Sequence, residues 1–464
     1  MRVIGPVTGG NRGRPFGSSV RDLAADGSVE EEFFLDGEAT LYALADDTDY
    51  RFDGRWSTRE RATVPFCTRI LVRRPVDRDR FNGVVIVNWN NVSAGFELPC
   101  ATGVEIIESG SAWVGASVQR IGIHGHPLLP DSHGLAEWDA DRYGVLSISD
   151  DDAAFDIFTQ VAGAVGRDRS ALPTDPMDGL EVAHVVAFGA SQSANRLATY
   201  YNAIQPETAA FDAFLMLVYS GGGTRVEALG PGPSLALVPA EARAIVNVMP
   251  FGSHQLRDDI DARAFVLNSE TEAVWYHPVR QPDNDTFRLW EVAGAAHIGV
   301  GSGHEVDAQL MRDVGRVLAD VLADRSRWDP NTLSFAPVAD AALHHVHAWV
   351  QDGSAPPVQD RIEFADDPPA IARDGHGNAR GGVRLWELEA PTGTHVASAG
   401  GAGIPDLAGS STPFSAEARH ALYPDRALFV ERAHAAIARG VTRGSYLTRD
   451  VGLLRAAVEA EWPG

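Results

Sequence analysis

The stretch "AHVVAFGASQSANRLATYYNA", Ala183 to Ala203, decides how this chain is read. An apolar, β-branched run ends at Gly189, Ala190, Ser191, Gln192 and Ser193, and a helix-like segment starts at once. A strand that turns sharply into a helix crowds the positions two places either side of the turning residue. Those positions are Gly189 and Ser193, both small. If the turn is a nucleophile elbow, it exposes the Ser191 hydroxyl near the positive end of the following helix. The backbone N–H of Gln192 then faces a developing oxyanion. Glycine usually stands at both flanking positions, and serine is small enough for the second. Taken alone, the motif fits an ordinary tight turn in a buried sheet as readily as a nucleophile. The surroundings must decide.

Upstream, "EEFFLDGEATLYAL" (Glu31 to Leu44) reads as an early strand or hairpin, and "TRILVRRP" (Thr68 to Pro75) as a short strand stopped by proline. "NGVVIVNW" (Asn82 to Trp89) and "SAWVGASVQ" (Ser111 to Gln119) are continuous runs of the kind buried in a central sheet. A short helical segment stands between them, from about Thr102 to Ser109. "DDAAFDIFTQVAGAVG" (Asp151 to Gly166) has helical spacing and ends in glycine. After the quoted stretch come "FDAFLMLVY" (Phe211 to Tyr219), a Gly/Pro-rich insert at about 220–261, and strands at Ala262 to Ser269 and Thr286 to Ala293. A helix is expected over Val306 to Asp324. Strands alternating with helices call for a mostly parallel sheet covered on both faces.

Chemistry-bearing residues follow in a telling order. The strand ending at Ser269 runs into Glu270 and Glu272, and the next runs into a glycine turn and His297. Serine is a weak nucleophile until a base takes its proton, and that base must be held in one tautomer by a carboxylate. Glu272 is the preferred acid because it lies just past the strand's end; Glu270 is the runner-up. A second oxyanion donor is expected from "NWNNVSAGFE" (Asn88 to Glu97), where the backbone of Ser93 and Ala94 could supply an N–H. Each such donor is typically worth about 3 kcal/mol of barrier. Asn90 and Asn91 read as turn formers or side-chain helpers, and Asn91 is also a candidate substrate contact. Trp275 and Tyr276, just after the acid, read equally as a pocket lining and as ordinary packing.

The remaining composition removes whole classes. All 39 basic residues are arginine, so a lysine Schiff base, a phosphate-loop lysine and a Ser-Lys dyad are excluded. The formal net charge of −24 argues against nucleic acid or an anionic membrane surface as partner. No run of eighteen apolar residues suggests a membrane span, and the first residues lack an apolar leader, so a cytoplasmic location is expected. Cys67 and Cys100 are expected as two buried free thiols. In "HHVH", His344 and His347 would share a helical face, but no cysteine or acidic partner completes a ligand set, and no metal is expected. His124 and His126 read as loop residues at least as well as pocket residues.

The motifs "NWNNVSAG", "DADRYGVLS", "GASQSANRLATYYNA", "NSETEA", "RLWEVAGAAH" and "RDGHGNARGGVRL" together resemble the large bacterial "alpha/beta hydrolase domain-containing" family. The similarity runs over almost the whole chain. It implies an α/β-hydrolase fold, a mostly parallel central sheet with helices on both faces, an insert and a C-terminal extension. The expected division is a catalytic core over 1–325 and a family-specific C-terminal region over 326–464. The resemblance implies hydrolysis of a carboxylic ester or lactone, with Ser191 as nucleophile, His297 as base and Glu272 as acid. The serine at position 193 belongs to that pattern. A small-molecule substrate and no cofactor are expected. Acyl transfer from the same acyl-enzyme, and a non-covalent lyase or binding scaffold on the same fold, are the alternatives.

Overall fold

The computed structural model describes residues 1–45, 50–98, 104–129, 132–227, 252–298, 304–317, 330–365, 370–398 and 407–462. The chain separates into two compact units that interleave in sequence. The first comprises Met1–Phe265, Asp285–Phe287 and Glu305–Gly315, and the second Val266–Asn284, Arg288–His304 and Arg316–Gly464. The expected boundary at 325/326 and most of the insert, 228–251, lie outside the described residues.

In the first unit, β1 (Arg2–Ile4) pairs antiparallel with β2 (Ser28–Leu44), and β2 pairs antiparallel with β3 (Thr58–Pro75). The strand expected at Thr68 therefore begins at Thr58. Its first half is missed by pattern because it carries Arg59, Glu60, Arg61 and Pro65 and stays largely exposed. The centre is parallel: β4 (Val84–Trp89) lies between β5 (Ala112–Ala116) and β7 (His184–Ala190), and β7 pairs with β8 (Ala213–Leu217). A two-residue strand, β6 (Ser147–Ile148), pairs with β3. The strand order is β1-β2-β3-β5-β4-β7-β8. β9 (Arg263–Ser269) begins in this unit, with the Arg263 N–H donating to Asp212 O. All six residues of β4 are buried, as a strand covered on both faces requires. Helix α1 (Ala154–Val165) packs on β2 and β4, and α2 (Gln192–Thr199) on β7 and β8. Trp89 meets Phe155 and Phe158, and Phe158 stacks on Phe211.

Cys67 is a free thiol and only half-buried; burial still raises its pKa to about 11. Cys100 lies outside the described residues. The helix His304–Val314 is, from Glu305 on, part of the first unit, and Gln309 donates from it to the carbonyls of Gly17 and Ser18.

A buried ion network crosses this unit. Arg69 on β3 donates to Glu32 at 2.8 Å and to Glu97 at 2.8 Å, and Arg142 donates to Glu32 at 2.6 Å. Burial works against the Arg69 charge, but Tyr143, Glu97 and Glu32 outweigh it and raise its pKa above the ordinary arginine value. Removing one member of such a pair leaves an uncompensated buried charge, at a cost of about 3–5 kcal/mol. Arg69→Met is therefore expected to lower the denaturant midpoint by that much stability. An unchanged midpoint would contradict the network's role.

In the second unit, β9 runs on beside β10 (Phe287–Val292) and into helix α3 (Glu270–Tyr276). The C-terminal region supplies α4 (Ala336–Asp352), the hairpin of β11 (Gly393–Val396) and β12 (Ser410–Pro413), α5 (Arg426–Arg443) and α6 (Val451–Glu461). Val383 pairs alongside β10, donating its N–H to Glu291 O at 2.7 Å. The buried Glu291 carboxylate accepts both Arg280 nitrogens, at 2.9 and 2.6 Å, and the Ile362 N–H at 3.0 Å. The C-terminal region thus shares one packed unit with β10.

Candidate active site

The turn from β7 into α2 has the geometry of an elbow. Ser191 sits at φ 59°, ψ −119°, in the left-handed region that a residue with a Cβ occupies at a cost of about 1–3 kcal/mol. Its N–H donates to Leu217 O at 2.9 Å, tying the turn to the end of β8. A Cβ at Gly189 would stand 2.9 Å from Leu197 Cδ1 and 3.0 Å from Ser193 Cβ. Strand and helix approach too closely there for any side chain, which is why glycine stands at this position. Ser193 is fully buried, as the tight packing anticipates.

Ser191 itself is half-buried. The N–H of Gln192 has no acceptor among the described residues, as befits the first position of a helix. The Gln192 side chain donates to Gln119 Oε1 at 3.0 Å, and Trp89 Nε1 donates to the same oxygen at 2.9 Å. These contacts lock the residue after the serine to the ends of β4 and β5.

The loop after β4 is closed by Leu98 N–H donating to Asn91 O at 2.7 Å. Asn91 donates from Nδ2 to Ala190 O at 3.0 Å. Its Oδ1 accepts from the Ser93 N–H at 2.8 Å and the Ser93 hydroxyl at 2.7 Å. The Ser93 N–H, one of the two expected donors, is thus engaged inside the loop. The Ala94 N–H finds no acceptor among the described residues. Asn90 donates to Glu97 Oε2 at 3.1 Å, which ties the loop into the Arg69 network.

The second unit holds the other two expected residues, and they touch. His297 Nδ1 lies 2.6 Å from Glu272 Oε1. A carboxylate oxygen only accepts, so Nδ1 is the donor in this contact and Nε2 is the ring nitrogen left facing away from Glu272. The other Glu272 oxygen accepts the Ser269 hydroxyl at 2.6 Å and its N–H at 3.1 Å, completing a capping box at the start of α3. Glu272 is fully buried, whereas the His297 ring keeps some exposure. The His297 N–H donates to Thr271 Oγ1 at 3.0 Å, and that hydroxyl donates to Ala397 O at 3.0 Å.

Glu270 has different partners. It accepts the Gly294 N–H at 2.7 Å and pairs with Arg373 at 2.6 Å, joining the glycine turn after β10 to the C-terminal region. Neighbouring Asp374 accepts the N–H groups of His376 and Asn378, and buried Asn378 donates to Gly393 O. This polar segment staples the second unit internally. Trp275 is 44% exposed and Tyr276 is 1% exposed, so the two adjacent residues of α3 meet different surroundings. His124 accepts the Ile148 N–H at 3.3 Å, and His126 Nδ1 accepts the Leu128 N–H at 3.1 Å. His345 of the "HHVH" run contacts Gly444 O at 2.8 Å. Among the described residues, no group of three or more His, Cys, Asp or Glu is placed to hold a metal ion, and no helix is long and apolar enough to cross a membrane.

Sequence reasoning missed Gln119, Glu97 and Arg69 as supports of the serine turn and the loop. Gln119 and Gln192 lie 73 positions apart, and Arg69 and Glu97 28 apart, so only the sheet order brings them together.

A sequence profile described as "Alpha/beta hydrolase domain" matches residues 3–456. No curated protein is similar enough to match the chain. Among solved structures, brefeldin A esterase, a bacterial homologue of human hormone-sensitive lipase, is 10% identical with a TM-score of 0.30, over 73% of this chain and 81% of that one. A cold-adapted esterase from an Arctic intertidal metagenomic library is 9% identical with a TM-score of 0.28, over 65% of this chain and 98% of that one. A prolyl endopeptidase is 13% identical with a TM-score of 0.30 over 62% of this chain, which spans only 37% of that larger protein. Since the profile runs through both compact units, the whole chain, C-terminal region included, belongs to the alpha/beta hydrolase domain family.

Proposed function

We propose that this protein is a serine hydrolase that cleaves a carboxylic ester or lactone of a small molecule through an acyl-enzyme on Ser191. The observation that carries this reading is the strained Ser191 turn with the unengaged Gln192 N–H beside it. Strain of this kind persists where the fold imposes it, and here it presents a hydroxyl at a helix N-terminus. Ser191 Oγ attacks the carbonyl carbon while His297 Nε2 takes its proton. The carbonyl π pair moves onto oxygen, where the N–H groups of Gln192 and Ala94 receive the charge. The tetrahedral intermediate collapses, the alkoxide leaves with the proton from His297, and the acyl group stays on Ser191. Water then adds to the acyl carbon as the same imidazole takes its proton, and the acyl–oxygen bond breaks as that proton passes to Ser191 Oγ, releasing the acid and restoring the serine. Glu272 holds the His297 tautomer and stabilises the imidazolium.

The test is turnover of p-nitrophenyl esters of increasing acyl length and of a lactone panel, with products analysed in the presence and absence of a competing alcohol. Release of free acid at unchanged yield in the alcohol's presence is the expected result. Preferential ester exchange would make the protein an acyltransferase. The absence of both activities across the panel would leave a non-covalent role.

A further inference from the structure

Asn91 is buried and does two things at once. Its Nδ2 donates to the carbonyl of Ala190, the residue before the proposed nucleophile, at 3.0 Å. Its Oδ1 accepts both the N–H and the hydroxyl of Ser93, at 2.8 and 2.7 Å. One side chain therefore bridges two backbone segments 99 positions apart. On one side stands the turn that offers the Gln192 N–H, and on the other the loop that offers the Ala94 N–H. An oxyanion hole works only if its donors hold their mutual spacing as charge develops. The loop has its own anchors in Glu97 and in the Leu98 N–H, but the contact from Asn91 reaches the serine turn itself. Val92 N–H to Gln192 Oε1, at 3.5 Å, is a second and longer link between the same segments.

We propose that Asn91 is a positioning residue that sets the Ala94 donor against the Gln192 donor across the carbonyl oxygen. This rests on the serine-hydrolase reading above. The primary amide is needed for its mixed character: the nitrogen must donate to Ala190 while the oxygen accepts from Ser93. Asn91→Asp keeps the size and the Ser93 acceptor but turns a carboxylate oxygen toward the Ala190 carbonyl. That contact is repulsive when ionised. Once protonated, the new carboxylic acid can donate to Ala190 O and restore the bridge.

The experiment compares Asn91→Asp with the wild type on a p-nitrophenyl ester from pH 5 to pH 9, with Ser191→Ala in parallel. At alkaline pH the variant should lose about 10²-fold in kcat, the lower end of the effect of removing one oxyanion-hole donor. KM should change little, and affinity for a trifluoromethyl ketone, whose adduct carries the oxyanion, should fall with kcat. The ratio of variant to wild-type kcat should rise as pH falls, because protonation rebuilds the donor. A ratio that stays flat with pH, or a loss confined to KM or to thermal stability, would overturn the proposal. If Asn91→Asp behaves as wild type while Ser191→Ala is inactive, the positioning role alone fails. If Ser191→Ala remains active, the serine reading fails with it.

Discussion

Ser191→Ala is expected to lower ester turnover by roughly 10⁴- to 10⁶-fold, measured as kcat under saturating substrate. The size follows from what the hydroxyl does. In the proposed mechanism no acyl-enzyme forms without it, and only direct attack by water remains, aided by the proposed Gln192 and Ala94 donors. Alanine keeps the Cβ at φ 59°, so the turn's strain and its Ser191 N–H bond to Leu217 O are both preserved. Thermal stability should therefore stay close to that of the wild type. Ser191→Gly provides a second arm: it removes the hydroxyl and also the Cβ penalty of the left-handed region. It should be equally inactive but more stable, by about 1 kcal/mol. Inactivity accompanied by unfolding in both variants would point to a structural serine.

The second large effect is expected from Glu272→Gln. The carboxylate serves two masters: one oxygen faces His297 Nδ1 and the other accepts the Ser269 hydroxyl and N–H. An amide has one oxygen and one nitrogen, and the buried Ser269 N–H requires the oxygen. The amide nitrogen then faces His297 and donates to Nδ1, forcing the ring proton onto Nε2. In the proposed mechanism a histidine in that tautomer is unable to act as the base, and kcat should fall roughly 10³- to 10⁴-fold with KM little changed. Glu270→Gln is the matched control. It disturbs the contacts to Gly294 and Arg373, so it should cost stability while leaving kcat within about tenfold. The reverse pattern, a large loss for Glu270→Gln and a small one for Glu272→Gln, would exchange the two roles.

How much of this was legible depends on what each feature owes to local chemistry. β4 and β7 are visible because a strand buried on both faces must be continuously apolar, and their residues are. The elbow is visible because close packing of strand on helix admits only small residues at 189 and 193. The first half of β3 is not visible: it pairs mainly with β2, carries charges on its exposed face and contains Pro65. The two glutamates could be ranked only by position along the chain. Both end the same strand, and what distinguishes them is that Thr271 and Glu272 face His297 while Glu270 faces Gly294. The Asn91 bridge was equally hidden. Asparagine after a strand suits a turn, and nothing local indicates that its amide reaches Ala190.

The central claim is that Ser191 is an activated nucleophile, and labelling tests it most directly. The wild-type protein is treated with a fluorophosphonate, its intact mass is measured, and the modified peptide is mapped. One phosphonyl adduct on Ser191, formed far more slowly in Glu272→Gln and absent in Ser191→Ala, is the expected result. An unlabelled protein that still hydrolyses esters, or an adduct on any other residue, would contradict it.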